Sequence, residues 1–317
     1  MYIGIDLGGT NIAAGVVDEN GKILHKDSVK ANAERPSSEI IKDMAELSKK
    51  VALDAGFQLS DVEWVGIGSP GTCDTDNGVL VYANNLNFYN TPMRDEFRKT
   101  FDVPVYIAND ADAAAFGEAM VGAAKGTKSS IMITLGTGVG GGVIIDNKII
   151  NGFNHAGGEL GHMAICVDGI KCTCGNNGCW EAYASATALI RQTKEAMDKN
   201  PDSKMWELSK SDGVNGKLAF DAAKLGDKTA IDVVNQYIKY VSVGVTNIIL
   251  IFQPEKLLIG GGISGQGDYL INPIREYVKA HDYCKTEQHT TIEAAALGND
   301  AGIIGAAFLG KQYVTED

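Results

Sequence analysis

Two stretches of the chain repeat one plan of apolar and polar positions. Residues 2–24 (YIGIDLGGTNIAAGVVDENGKIL) run from an apolar strand through a glycine-rich turn to a second apolar strand, a polar turn and a third strand. Residues 131–150 (IMITLGTGVGGGVIIDNKII) do the same, and each turn opens on a Leu-Gly pair after a polar residue: Asp6-Leu7-Gly8 and Thr134-Leu135-Gly136. A supersecondary unit repeated at this separation predicts two similar α/β halves. Two hairpins alike by chance is the competing reading.

Between and after these hairpins the periodicity alternates. Ile40, Met44, Leu47 and Val51 fall at helical spacing and predict an amphipathic helix over 36–55. Residues 64–67 and 105–108 read as short buried strands, and 110–120 and 181 to about 197 as helices. A long helix is expected over 229–251, then a strand over 256–259 and the turn Gly260-Gly261-Gly262. Its greasiest part, 241–252, reads as the buried end of a core helix and is too short to span a bilayer. A helix of small residues over 299–309 closes the chain, and 200–216 is the most loop-like stretch. Strands alternating with helices predict a largely parallel sheet in each half.

Charge narrows the partners. A formal net charge of −12 argues against nucleic acid and anionic membranes. A phosphate, if bound, must then be held by backbone N–H groups and a cation. At 317 residues, two domains are the natural expectation. The chain enters a strand at Tyr2 with no charged and apolar leader, so a cytoplasmic protein is expected.

The densest chemistry lies in residues 157–181 (GGELGHMAICVDGIKCTCGNNGCWE). His162, Cys172, Cys174 and Cys179 have metal-ligand character, with Glu159 and Glu181 as a carboxylate at either end. Three cysteines and one histidine with no open position make a structural zinc site, although Cys172-Thr173-Cys174 matches no common zinc-finger spacing. With six cysteines, four of them in or near this loop, the pattern fits a metal in a reducing compartment better than a disulfide framework. A stapled loop framed by acids would aim hydrogen-bond acceptors at a polar ligand.

Residues 136–141 and 66–71 both fit G-x-G-x-x-G, yet neither is followed by a helix that could receive a pyrophosphate. A P-loop is absent too, since no Gly-Lys-Ser/Thr occurs. What remains is two glycine hairpins, after Asp6 and after Thr134, that can offer rows of backbone N–H groups to an anion. With the Gly260-Gly261-Gly262 turn they favour a nucleotide. Asn109-Asp110 stands where a strand meets a helix, a position that ligand sites use in α/β sheets. Asp110 could cap the helix, accept a hydroxyl proton during phosphoryl transfer, or do both. Asp112 is a weaker rival inside the helix. Asp6, at the end of the first strand, could hold Mg2+ through water or form a turn. His155 carries no assigned role.

Together these residues resemble the ROK family of sugar kinases and repressors, which belongs to the actin-like ATPase (ribonuclease H-like) fold. The resemblance covers essentially the whole chain. It rests on the turn Asp6-Leu7-Gly8-Gly9-Thr10-Asn11, the 66–71 loop, Asn109-Asp110, the turn at 134–140, Glu159-x-x-His162 with its cysteines and Glu181, and the 260–264 turn. It implies two α/β domains around a nucleotide cleft: a small one of 1–108 plus the C-terminal 299–317, and a large one of 109–298 carrying the zinc-containing sugar loop. It implies ATP, Mg2+ and structural Zn2+, and phosphorylation of a hexose at its 6-hydroxyl, most like the family's bacterial glucokinases. Mannose, fructose, N-acetylglucosamine and N-acetylmannosamine share the same framework as substrates.

By resemblance, Asp110 is the general base. Gly68, Asn85, Asn109, Asp110, Glu159, His162 and Glu181 contact the sugar, with His162 giving one ring nitrogen to zinc. Asp6, Gly8, Gly9, Thr10, Asn11, Thr134, Gly136, Thr137, Gly138, Gly261 and Gly262 hold the nucleotide. Asn11 departs from the family, where many members carry Lys, and residues 82–88 follow the sugar-loop pattern loosely. A homodimer or homotetramer is implied. The family's repressors carry an N-terminal DNA-binding module, which a strand beginning at Tyr2 does not suggest.

Overall fold

The computed structural model describes residues 1–83, 86–286 and 289–313. The chain opens with β1 (Tyr2–Leu7), β2 (Asn11–Val17), β3 (Ile23–Lys30) and helix α1 (Ser37–Asp54). Next come β4 (Trp64–Ser69), β5 (Thr72–Asp74), β6 (Val79–Ala83), β7 (Phe88–Thr91) and α2 (Met93–Arg98). β8 (Val105–Asn109) leads directly into α3 (Asp110–Met120), followed by the second hairpin of β9 (Ser129–Leu135), β10 (Val139–Ile145) and β11 (Lys148–Ile149). The helices α4 (Glu181–Ala184), α5 (Ala186–Lys199), α6 (Met205–Asp212), α7 (Leu218–Lys224) and α8 (Lys228–Phe252) come next. β12 (Lys256–Gly260), α9 (Asp268–His281), β13 (Thr291–Ala294) and α10 (Ala301–Phe308) end the described chain.

The repeat read from sequence is visible in the topology. One sheet has the order β3-β2-β1-β4-β8 and another the order β11-β10-β9-β12-β13, the same arrangement of hairpin strands followed by two later strands. Each sheet is mixed, which corrects the expectation of largely parallel sheets. β1–β2 and β2–β3 pair antiparallel whereas β1–β4 and β4–β8 pair parallel. The reason is local: two-turn hairpins return the chain antiparallel, and only a helical crossover makes a parallel neighbour. A third sheet, of order β5-β6-β7, is antiparallel.

The chain divides into two compact units. Unit 1 is Met1–Met132, Gly142–Gly158 and Ala296–Asp317; unit 2 is Ile133–Gly141 and Glu159–Ala295. A division at residue 108 is therefore a different partition, because α3 packs within unit 1 against α10 and β4. The core of unit 1 is aliphatic, with Ile3, Ile5, Ile12, Ile40, Met44, Val65 and Ile67 fully buried.

In unit 1, α10 lies on the sheet with backbone against backbone. A Cβ on Gly4 would fall on the Ile303 carbonyl oxygen, and one on Gly66 on that of Ala306. Gly305 meets the Ala113 carbonyl of α3 in the same way. This is why the last helix reads as AGIIGAAF, and why its neighbours on β1 and β4 are glycines. Trp64 closes the far end, stacked on Tyr2 with ring centroids 4.1 Å apart and donating from Nε1 to the Ala307 carbonyl at 2.7 Å.

Three sequence expectations change. The helix expected over 181–197 is broken at Ser185, whose extended backbone and Oγ, accepting from Ala188 N–H, start α5 afresh. The 200–216 stretch contains α6, anchored by fully buried Met205 and by Trp206 Nε1 donating to the Met197 carbonyl. The end of α8 is not wholly buried, since Leu250 and Ile251 are exposed. No helix among the described residues is long and apolar enough to cross a membrane.

Replacing Gly66 or Gly305 by Ala is expected to cost at least about 3 kcal/mol in chemical denaturation, the upper end of ordinary overpacking, since backbone must move. Gly265→Ala, where a Cβ meets nothing within 4 Å, should stay within about 0.5 kcal/mol. Equal effects at the three positions would refute the packing account.

Candidate functional site

Unit 1 places its acids at the carboxyl ends of parallel strands, where open α/β sheets bind ligands. Asp6 pairs with Gly68 across β1–β4, Gly68 with Ala108 across β4–β8, and Ser69 with Asn109. Gly68 faces the start of α3: a Cβ there would stand 3.2 Å from the Ala113 Cβ and 3.6 Å from the Asp110 Cα, a close fit of α3 on β4. Asp110 is the first residue of α3 and its Oδ1 accepts from Ala111 N–H at 2.8 Å.

The helix cap itself is Asn109. Its Oδ1 accepts from the N–H groups of Ala111 at 2.9 Å and Asp112 at 3.3 Å, and its Nδ2 donates to the Gly71 carbonyl at 3.1 Å. Capping by Asn109 corrects the alternative that gave this task to Asp110: the extended backbone at 109 is what aims a short side chain back at the first turn. Asp110 keeps only the Oδ1 contact to Ala111 N–H, which leaves Oδ2 for chemistry. Asp112 is buried within α3.

Burial pushes the Asp110 carboxyl above its ordinary value, against the lowering by the backbone N–H groups around it. Asp6 is pushed up to about 6, first by burial and then by the Asp110 charge. Gly302 of α10 lies over Asp6, with room for a hydrogen only: a Cβ would be 2.9 Å from the carboxylate. The turn after Asp6 closes by Gly8 N–H donating to the Asn11 carbonyl at 2.9 Å and leaves Thr10 and Asn11 exposed.

Unit 2 holds the cysteine loop. The donor atoms of His162, Cys172, Cys174 and Cys179 all lie within 4.8 Å of one another. Cys174 and Cys179 sulfurs are 3.6 Å apart, and Cys172 Sγ is 3.7 Å from His162 Nδ1. Ligands about 2.3 Å from a tetrahedral ion stand roughly 3.8 Å apart, so the four donors fit one metal ion. His162 turns Nδ1 toward the sulfurs, which leaves Nε2 as its other hydrogen-bonding atom. An N–H of Asn176 holds the Cys174 thiol below its usual range, easing its conversion to thiolate. The loop is fastened below by Trp180, fully buried, with its N–H donating to the Met163 carbonyl at 2.8 Å and its ring packed on Gly244 of α8.

Glu159 is exposed at the start of the short turn that carries His162. Glu181 begins α4, and its Oε2 accepts from Val139 N–H at 3.0 Å. The turn after Thr134 closes by Gly136 N–H donating to the Gly138 carbonyl at 3.0 Å, and a Cβ on Gly136 would meet nothing within 4 Å. Gly261, with φ +80, packs on the backbone of Leu135, so within unit 2 the 260–264 turn lies against the glycine hairpin. Gly262 faces open space.

One contact escaped the sequence reading. His155 is mostly buried, with Nε2 3.4 Å from Asp74 and 3.6 Å from Asp76 and Nδ1 3.3 Å from Thr75 Oγ1. It ties the loop 151–158 to the turn after β5. The Asp74-Thr75-Asp76 run was the only signal, and distance in sequence hid the pairing. Asn85 lies outside the described residues.

With the geometry in place, the comparisons with known proteins are direct. The ROK family profile matches residues 2–313, and the chain belongs to the ROK family. The glucokinase of Thermotoga maritima is 38% identical over 316 residues, covering 98% of each chain. The glucokinase of Halalkalibacterium halodurans is 34% identical, covering 98% of this chain and 95% of its own. A ROK glucokinase structure from Streptomyces griseus, solved with glucose and AMPPNP, superposes with a TM-score of 0.82 at 36% identity, covering 98% of this chain and 99% of that one. The fold is thus that of the actin-like ATPase sugar kinases.

Two outcomes are expected. Because the folded value of Asp6 lies above its ordinary 3.8, its contribution to stability is fully present below that pH and is lost as pH rises through about 6. Asp6→Asn should therefore exceed the parent in stability above pH 6, by up to about 3 kcal/mol, with no advantage near pH 4. A pH-independent difference in urea titrations would rule this out. Separately, Cys172→Ser should lose most of its bound metal by elemental analysis while Cys284→Ser keeps it; full retention in Cys172→Ser would remove it from the ligand set.

Proposed function

We propose that this protein phosphorylates the 6-hydroxyl of glucose with ATP, a glucokinase activity. The observation that carries the reading is Asp110: a half-buried carboxylate at the carboxyl end of β8 beside Gly68, with Oδ1 accepting from Ala111 N–H and Asn109 serving as the cap of α3. The relatedness to glucokinases along the whole chain supports the same activity.

In this reading Asp110 accepts the proton of the sugar hydroxyl as its oxygen bonds to the γ-phosphorus and the bond to the ADP oxygen breaks. A base pKa raised toward the working pH makes that transfer easier. The transition state is loose and mostly needs its charge held in place. By the family resemblance, the backbone N–H groups of Gly8, Gly9, Thr10 and Asn11 and those of Gly136, Thr137 and Gly138 are the phosphate contacts, with Thr134 beside the second turn and Gly261 and Gly262 as the adenosine contacts. Asp6 would help to hold Mg2+, which when bound would supply neutralisation of phosphate charge.

Asn109, Glu159, His162 through Nε2, Glu181, the backbone of Gly68, and Asn85 hydrogen-bond the remaining hydroxyls. Asn109 has a second amide hydrogen left for this after its bond to Gly71. Zn2+ on His162, Cys172, Cys174 and Cys179 supplies a rigid cross-link and no chemistry. Free thiolates for the metal suit a cytoplasmic protein, working as a homodimer or homotetramer.

Asp110→Asn is expected to lower turnover by at least about 100-fold, the scale of a lost general base, while calorimetry shows glucose binding within a few-fold of the parent. Wild-type turnover in that variant would end the assignment. Across a panel of glucose, mannose, fructose, N-acetylglucosamine and N-acetylmannosamine, ADP release should give the highest kcat/KM with glucose and almost none without sugar.

A further inference from the structure

The glycine hairpin of unit 2 does not stand on its own. Within residues 136–139 one hydrogen bond closes the turn, from Gly136 N–H to the Gly138 carbonyl. Three others fasten it to residues 181–187. Val139 N–H donates to Glu181 Oε2 at 3.0 Å, Ala186 N–H to the Gly136 carbonyl at 2.8 Å, and Thr187 Oγ1 to the Thr137 carbonyl at 2.8 Å. Gly138 is glycine for the same reason: a Cβ there would fall on Glu181 Oε2.

The segment that holds the hairpin is the direct continuation of the cysteine loop. Cys179 is two residues before Glu181, and its carbonyl accepts from Ala182 N–H at 3.0 Å in the first turn of α4. Cys172 Sγ stands 3.8 Å from Glu181 Oε1, the other oxygen of the same carboxylate. Glu181 thus grips a hairpin N–H with Oε2 and accepts from the Cys172 thiol with Oε1. With a metal on the thiolates that second bond is lost, and Cys179, two residues earlier and bonded to the first turn of α4, carries the link. Two of the hairpin's four residues, Gly136 and Gly138, have no side chain to brace them, so these outer contacts help set the direction of its peptide groups.

We propose that Glu181 is a positioning residue coupling the Cys3His metal site to the nucleotide hairpin, so that metal occupancy tightens phosphate binding as well as holding the sugar loop. The inference rests on the kinase reading for what the hairpin binds, but not for the tether itself. A sugar-loop staple alone predicts that metal affects sugar affinity only. The tether predicts that nucleotide affinity and hairpin rigidity respond too, through Glu181.

The test uses full-length protein, metal-loaded and chelator-stripped, with metal content measured. Amide hydrogen exchange is followed over residues 134–141, and Mg–AMPPNP affinity by calorimetry. Stripping the wild type should speed exchange in the hairpin and weaken AMPPNP. In Glu181→Ala exchange should be fast already and stripping should add nothing, the non-additivity expected of residues acting through one contact. Thr187→Val, which keeps the metal and every ligand, guards against a stripped protein that unfolds. It should weaken AMPPNP about 2- to 10-fold, the worth of one hydrogen bond, and leave glucose affinity unchanged. Hairpin exchange indifferent to metal in the folded wild type, or a stripping effect equal in Glu181→Ala, would overturn the proposal. So would wild-type hairpin exchange in Thr187→Val. If exchange responds as expected but no form binds AMPPNP, the tether stands and the kinase reading falls.

Discussion

The contact of α10 with β1 and β4 is the constraint on which unit 1 depends. Backbone meets backbone there because Gly4, Gly66 and Gly305 offer no Cβ, and the approach is closer than any other residue permits. That closeness brings Gly302 over Asp6 and α3 against α10, so the acids at the strand ends are half-buried and only partly hydrated. The raised carboxyls of Asp6 and Asp110 follow from that burial, since desolvation disfavours their charged forms. A pair of acids so placed is poised to bind a cation or take up a proton, which is the chemistry phosphoryl transfer asks for.

Unit 2 solves a different problem. Its hairpin is glycine-rich, and glycine peptides have little of their own to hold them in place. The protein borrows rigidity from residues 181–187, which are held in turn by buried Trp180 and by the cysteine loop. A carboxylate that braces the glycine hairpin with one oxygen and faces the Cys172 sulfur with the other makes a small site do two jobs. The same economy is seen in Asn109, which caps α3 with one end of its amide and holds Gly71 with the other.

Much of this was legible in the chain. The hairpins at 2–24 and 131–150, the helix at 110–120 and the Cys3His set could be read because each is written in contiguous residues: alternating apolar positions, a helical period, or ligand types a few places apart. What escaped involved partners far apart. His155 meets Asp74 and Asp76 some eighty residues away, as Thr75 Oγ1 and His155 Nδ1 show at a separation of 80. The helix break at Ser185 and the helix at 205–212 escaped for another reason: weak local propensity there is decided by a cap and by buried Met205.

By itself, then, the sequence determined the repeated strand plan, the exclusion of Rossmann and P-loop chemistry, and the identity of the acids, histidine and thiols worth watching. These follow from local rules of period, turn and ligand spacing. Only the tertiary structure decided that the sheets are mixed, that Asn109 and not Asp110 caps α3, that His162 turns Nδ1 to the sulfurs, and that Glu181 grips the glycine hairpin. Each of those depends on where a side chain's few hydrogen-bonding atoms find partners once distant segments have packed. No local pattern encodes that choice.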